Sequence, residues 1–274
     1  MTTQPTQHPR LTHQQQQQYK QQGYLLYDQP VLPEAKFKSL ELHLQGLLDQ
    51  WTTWSKKSTE HMDVPHFADP KLFDWLLADE ILDLIEPLIG PDIALFSSHL
   101  ICKPPKVGKR VPWHEDSAYW KTRLQPMEVV TVWLAIDPST TDNGCMRLIP
   151  GSQSNGFSNY ADVAQPEREV FGTEIIKGSF DESKAIDCVL KPNHASLHHA
   201  KIIHGSHANT GQMRRSGYTM RYIPTTVKYV SDKNDPFQIY LARGKDHAGN
   251  TYSDPTKVNQ KWLDQYPDGW PSGH

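Results

Sequence analysis

The triplet His114-Glu115-Asp116 and the distant His204 carry the densest metal-binding chemistry in the chain. On an extended strand, residues two apart share a face. The spacing therefore predicts that His114 and Asp116 approach one ion together, with Glu115 turned away as a solvated or supporting group. His204 ends the apolar run Ile202-Ile203, the position expected of a ligand delivered from a barrel interior. Two imidazoles and one carboxylate on one side of an ion leave positions open. That suits Fe(II) which must also bind a bidentate co-substrate and dioxygen. Structural zinc would close four positions, often with thiolate, whereas Cys102, Cys145 and Cys188 stand in separate segments. A His-x-Asp pair alone is common by chance, so the reading depends on His204 and on the residues C-terminal to it.

Arg215 comes next, across the turn-rich stretch Gly205 to Gln212. Such a connection predicts that Arg215 lies on the strand beside that of His204, deeper in the same barrel. A guanidinium clamps a carboxylate with two parallel hydrogen bonds. A dicarboxylate such as 2-oxoglutarate would put its keto-acid end on iron and its far carboxylate on Arg215. The plain alternative for Arg215 is a solvated turn residue like Arg214.

These groups need a scaffold, and the chain's 274 residues suffice for one large domain. Residues 1–18 read as a flexible, Gln-rich arm, with a helix over 14–22 ending near Gly23. Tyr24 to Tyr27 reads as a strand. Phe37, Leu40, Leu44, Leu47, Leu48 and Trp51 recur at helical spacing within 33–54. Asp69-Pro70 opens a second helix that Pro87 should kink or end before Gly90. From residue 91 the pattern changes to short apolar runs: Ile93 to Cys102, Met127 to Ile136, Met146 to Ile149, Ala185 to Leu190, Ser196 to Ile203 and Tyr218 to Ile223. Such runs between Gly, Pro and Asn predict an antiparallel sandwich or barrel. Residues 152–184 read as a long covering excursion. The expected organisation is one domain over 19–274: a helical layer (19–90), a β core (91–230) and a C-terminal extension (231–274).

A net charge of −3 and a pI near 6.5 imply neither a nucleic-acid partner nor an anionic membrane surface. Apolar runs stay short of the roughly 18 residues a spanning helix needs, and the N-terminus has no apolar signal core. Three sparse cysteines read as buried thiols and fit a cytoplasmic location. A small-molecule substrate is the expected partner; the sequence leaves monomer or homodimer open.

Taken together, Lys103-Pro104-Pro105, the His114 triplet, Trp133, Asn143-Gly144-Cys145, Leu148 to Ser152 and His204-Gly205-Ser206 through Asn209 to Arg215 resemble the phytanoyl-CoA dioxygenase family of Fe(II)/2-oxoglutarate oxygenases. These pieces span roughly residues 90–224. The resemblance implies a mainly β fold with flanking α-helices, a double-stranded β-helix (jelly-roll, cupin-like) core. It implies His114, Asp116 and His204 as iron ligands and Arg215, helped by Ser206, as anchor for the far carboxylate of 2-oxoglutarate. It also implies Trp133 as a lining residue of the co-substrate pocket and Lys103 as a polar contact there. The expected reaction consumes O₂ and 2-oxoglutarate, releases succinate and CO₂, and hydroxylates an unactivated C–H. Halogenating relatives carry Gly or Ala in place of the acid, so Asp116 favours hydroxylation, desaturation or cyclisation. Gln153 replaces the family's usual His after Pro-Gly-Ser.

For the substrate pocket the sequence offers Trp113, Tyr119 and Trp120, with Gln125, Trp54, His61 and His66 as further candidates. His194, His198, His199 and His207 read as structural histidines. The basic group Lys103, Lys106, Lys109 and Arg110 is the only candidate for a coenzyme A phosphate site, so a small molecule or specialised metabolite is preferred to an acyl-CoA. The rivals are a non-catalytic cupin-like metal or ligand binder, which would need no Arg215, and a cupin-type hydrolase or isomerase using the ion as a Lewis acid.

Overall fold

A computed structural model describes residues 10–54, 58–231 and 234–265. Half of the expected arm, residues 1–9, lies outside them. Its remainder is more ordered than expected, because a helix starts at His13 and runs to Gln22. Thr12 and Gln15 form a capping box there. Gly23 ends the helix at φ 76°, a left-handed turn suited to glycine.

Glu34–Trp54 is helical as the apolar spacing predicts. The second predicted helix is broken. Asp69 caps the 3-10 turn Pro70–Leu72, Phe73–Leu76 adds one helical turn, and a new helix runs Asp79–Ile89 with Pro87 inside it. The continuous apolar stripe concealed this break, since Leu72, Leu76, Ile81 and Leu84 are all buried in the same core.

Two antiparallel sheets face one another. The larger has the order Tyr24–Tyr27, Ala195–His199, Val130–Ala135, Arg215–Pro224, Ile93–Lys103, Tyr240–Arg243, with Met62–Asp63 also paired to Ile93–Lys103. The smaller has the order Ile186–Asp187, Met146–Leu148, His204–Ser206, Val111–His114. Strands that are neighbours in space are distant in sequence, which is the jelly-roll arrangement. The helices cover the outer face of the larger sheet, where Leu40, Leu44, Trp51 and Ile85 pack with Leu100, Val132, Leu197 and Tyr218. The inner face is left for polar residues. The expected excursion, 152–184, contains a small hairpin, Tyr160–Asp162 with Thr173–Ile175. No described helix is long and apolar enough to cross a membrane, and all three cysteines are buried and unpaired.

Candidate active site

His114, Asp116 and His204 converge, with one ligand atom from each lying within 4.8 Å of the others. They do so by a different route from strand alternation. The strand Val111–His114 ends at His114, and Asp116 adopts right-handed helical angles (φ −56°, ψ −35°) before the turn Ser117–Trp120. The turn, rather than a shared strand face, brings the carboxylate back beside the imidazole. His204 also sits differently. The run 196–203 is not one strand: Ala195–His199 belongs to the larger sheet, and His204 opens a short strand of the smaller one. There His204 pairs directly with His114, and their rings lie 4.1 Å apart.

Each histidine is oriented by its own backbone. His114 Nδ1 donates to the Pro112 carbonyl (2.8 Å) and His204 Nδ1 to the Ile202 carbonyl (3.0 Å). Both bonds fix the tautomer that leaves Nε2 as a free lone pair, as an oriented metal ligand requires. Burial pushes His114 down to about 3, with the neighbouring His204 adding to the shift, so the ring is neutral. Asp116 is held by Arg221, whose Nε donates to Oδ2 at 3.2 Å. Burial alone would raise the Asp116 carboxyl, but Arg221 and the imidazoles around it hold it well below the usual range. Oδ1 lies 3.7 Å from His114 Nε2. Two imidazole nitrogens and one carboxylate oxygen, all buried and each fixed from behind, fit a divalent first-row metal with open positions.

These residues line one cavity between the two sheets. Arg215 lines it too, but not from the strand beside His204. It lies on the larger sheet, paired with Lys103 across Arg215–Pro224 and Ile93–Lys103, and faces the smaller sheet across the cavity. Its guanidinium donates twice to the Gly144 carbonyl (3.2 and 3.0 Å) and stands over Trp133, 5.3 Å from the ring centre. Asn143 folds the loop that presents this carbonyl, accepting from Thr140 N and donating to the Pro138 carbonyl, both at 2.8 Å. Gly144 takes φ 74°, and a Cβ there would lie 2.5 Å from the His207 carbonyl. Trp133 in turn requires Gly217 on the next strand, where a Cβ would lie 2.0 Å from the indole. Ser206 lines the cavity and Lys103 stands behind it, donating to Ser206 Oγ (2.7 Å) and the His207 carbonyl (2.5 Å). Burial, reinforced by Arg215, holds the Lys103 ammonium well below its usual range.

Of the aromatic pocket candidates among the described residues, only Tyr119 lines this cavity. Trp113 turns outward, because alternation puts it opposite His114, and it packs on Phe180 (5.5 Å) under Arg147 (5.3 Å). Trp120 lies behind the site, against Phe96 (5.1 Å) and beneath Arg221 (5.0 Å). His66 is buried behind the larger sheet with its Nδ1 2.7 Å from Ser98 Oγ, and Gln125 is exposed. The side chain of Trp54 falls outside the described residues. Glu115 is buried rather than solvated; it accepts from Ser158 N, and Tyr160 OH accepts from its backbone N–H (3.1 Å). Two of the four basic residues are engaged within the fold. Lys103 is internal, and Arg110 is committed to Glu169 (2.9 and 2.8 Å) and Glu174 (2.6 and 3.1 Å).

Sequence reasoning missed much of the wall, including Arg221, His198, Phe171 and Glu60. Arg221 lies an even number of residues from Arg215 on one strand, a spacing that did place both on the inner face. His198, read as structural, lines the cavity with its ring 5.2 Å from that of His204, whereas His199 turns away to accept from Lys201 N. Phe171, from the excursion, stacks edge-on to His114 at 4.8 Å. Glu60 enters from the 3-10 turn Thr59–His61 and carried no sequence signal.

Fold and donor set together define a jelly-roll protein built around a metal-competent trio. The chain belongs to the phytanoyl-CoA dioxygenase (PhyH) family, whose sequence profile matches residues 19–217. It is 29% identical over 176 residues to the phytanoyl-CoA dioxygenase domain-containing protein 1 homolog of Caenorhabditis elegans, covering 62% of this chain and 60% of that protein. It is 28% identical over 171 residues to human peroxisomal phytanoyl-CoA dioxygenase, covering 60% of this chain and 49% of that one. The chain thus spans about half to three fifths of these relatives' lengths. A probable alpha-ketoglutarate-dependent hypophosphite dioxygenase of Stutzerimonas stutzeri is 26% identical over 225 residues, 73% of this chain and 74% of that one. Among solved structures, the non-heme monooxygenase ThoJ superimposes with a TM-score of 0.74 at 22% identity, over 92% of this chain and 93% of its own. EvdO2 from Micromonospora carbonacea var. aurantiaca, solved with 2-oxoglutarate, gives 0.65 at 20% identity over 82% and 95%. At these identities the structural likeness concerns the fold.

Proposed function

We propose that this chain is an Fe(II)/2-oxoglutarate-dependent dioxygenase that hydroxylates an unactivated C–H of a small molecule or specialised metabolite. One observation carries the reading. A buried trio with one face open shares a cavity with a buried arginine that has no carboxylate partner among the described residues. In this reading His114, Asp116 and His204 hold the iron. Arg215 takes the far carboxylate of 2-oxoglutarate, with Ser206 and Lys103 beside it and Trp133 as the wall. Family membership supports the same assignment, as do the alpha-ketoglutarate-dependent relative and the 2-oxoglutarate complex of EvdO2.

When bound, the iron and 2-oxoglutarate supply the oxidising chemistry: O₂ is consumed, succinate and CO₂ leave, and one oxygen atom becomes the substrate hydroxyl. The chain's part is placement. Arg221 keeps Asp116 Oδ2 occupied so that Oδ1 is the oxygen offered to the metal. The Nδ1 bonds of His114 and His204 hold both rings in line. Arg215 sets the depth and angle of the co-substrate, and Phe171 with Val170 closes the cavity from the excursion. Preorganisation of this kind matters because a misplacement of about 1 Å costs roughly 100-fold in rate. The engagement of Lys103 and Arg110 within the fold weighs against the acyl-CoA alternative.

The test is succinate release by the purified chain with Fe(II), ascorbate and 2-oxoglutarate, alone and with a substrate panel. Turnover above a metal-free control is expected. Its absence under every condition, with iron bound, would favour a non-catalytic binder.

A further inference from the structure

Glu60 and Asp116 are the two acids of the cavity wall, and the proposed machinery uses only Asp116. Glu60 is 1% exposed. Its turn is fastened to the neighbouring strand on both sides. His99 Nε2 donates to the Glu60 carbonyl at 3.0 Å, and Thr59 Oγ1 donates to the Cys102 carbonyl at 2.7 Å. One carboxylate oxygen, Oε1, accepts from Lys109 N at 2.9 Å. The other, Oε2, is buried with no hydrogen-bond partner among the described residues. Glu60 lines the cavity, and Oε2 is its oxygen that no donor among the described residues occupies. The buried cations nearby are engaged elsewhere: Lys103 with Ser206 and His207, Arg215 with Gly144.

A carboxylate is an acceptor on every lone pair, and a buried one without a donor is costly. 2-Oxoglutarate cannot supply that donor, since it is a dianion made of acceptors and would be repelled. Glu60 shares the cavity wall with Ile101, Val111, Met146 and Phe171, and its charge is felt by Lys103 and Arg215. A preset acceptor in a cavity wall is how a pocket fixes one polar group of its ligand. Building on the proposed dioxygenase reading, we infer that Glu60 is a specificity-determining residue whose Oε2 accepts a hydrogen bond from an N–H or O–H group of the primary substrate. The substrate class is then a polar small molecule bearing an amine or hydroxyl. A plain hydrocarbon chain would leave Glu60 unpaired.

The experiment uses the whole chain, loaded anaerobically with Fe(II) and 2-oxoglutarate, whose visible charge-transfer band responds to occupation of the remaining cavity. It is titrated with n-hexylamine, 1-hexanol and hexanoate, which differ only at the head group. A hydrogen bond to a charged group corresponds to about 10- to 150-fold in affinity. The amine or the alcohol should therefore perturb the band at a concentration at least about 10-fold below that of hexanoate. The amine arm against the alcohol arm separates a cationic from a neutral donor. Glu60→Ala should remove the advantage of both donors, and the near-isosteric Glu60→Gln should remove that of the amine. Iron stoichiometry and the dissociation constant of 2-oxoglutarate should stay as in the parent. Loss of 2-oxoglutarate affinity in Glu60→Gln would overturn the inference and place Glu60 at the co-substrate end. So would unchanged preference among the three probes in both variants, or equal binding of all three by the parent. A parent chain that forms no band with Fe(II) and 2-oxoglutarate would instead sink the dioxygenase reading, a distinguishable failure.

Discussion

The two sheets that face the cavity position their polar residues by different means. The larger sheet does it with ladder length. Arg215–Pro224 pairs along most of its course with Ile93–Lys103 on one side and Val130–Ala135 on the other, so Arg215, Arg221, Trp133 and Thr219 are set by register. The smaller sheet has strands of two to four residues, and its ladder breaks between His204 and Ser206. It carries the two histidines, and their aim comes from local bonds: the ring-to-backbone hydrogen bonds of His114 and His204. Asp116, on the adjoining turn, takes its aim from Arg221 across the cavity. A short strand end is free to bend toward an ion, while a long ladder holds a fixed depth. The proposed metal end is therefore aimed by side-chain hydrogen bonds and the proposed co-substrate end by backbone pairing.

The strongest challenge to this division is at the metal end. His204→Ala should abolish iron binding and turnover while leaving the larger sheet folded. Iron titration with circular dichroism checks this, and retained iron would show that the trio is not the ligand set. Arg215→Met comes next. Removing one partner of a buried charge pair costs about 2–5 kcal/mol, so the KM for 2-oxoglutarate should rise roughly 30- to 5000-fold with iron affinity little changed. Equal loss of iron and 2-oxoglutarate would show that the register also holds the metal end.

Arg221→Met bridges the two regions. A partner that orients a metal ligand is worth about 10- to 100-fold in metal affinity. That loss should appear in iron competition titrations, and its absence would make Arg221 a mere prop for Trp120. The smallest effect is expected at the cover. Arg110 is about a third exposed (side chain 31%) and ties the excursion through Glu169 and Glu174. Arg110→Met should cost about 1 kcal/mol or less in thermal stability, since solvent screens such pairs. Proteolysis within 152–184 should quicken. A larger loss of stability than that of a core substitution would mean the cover is part of the fold's support.

Much of the chemistry was legible in order and spacing. His114, Asp116, His204 and Arg215 stand out because few residue types bind metal or clamp a dicarboxylate, and the motif pieces succeed one another in the family's order. The apolar periodicity of 34–54 and the Val-rich run 130–135 fixed element types for the same local reason: burial on one face imposes a period. Local pattern could not say which sheet a short strand joins. Pairing in a jelly-roll is between residues far apart in sequence, so the expected placements of His204, on one strand with His199 and beside Arg215, both fail. Nor does local pattern reveal a turn that replaces a strand face at Asp116. It could not find Glu60, His198 or Phe171, whose roles come from the cavity they enter rather than from their neighbours in the chain. The sequence determined which groups can do chemistry here. The packing of two sheets decided which of them meet, because only long-range contacts fix the distance between side chains on opposite walls.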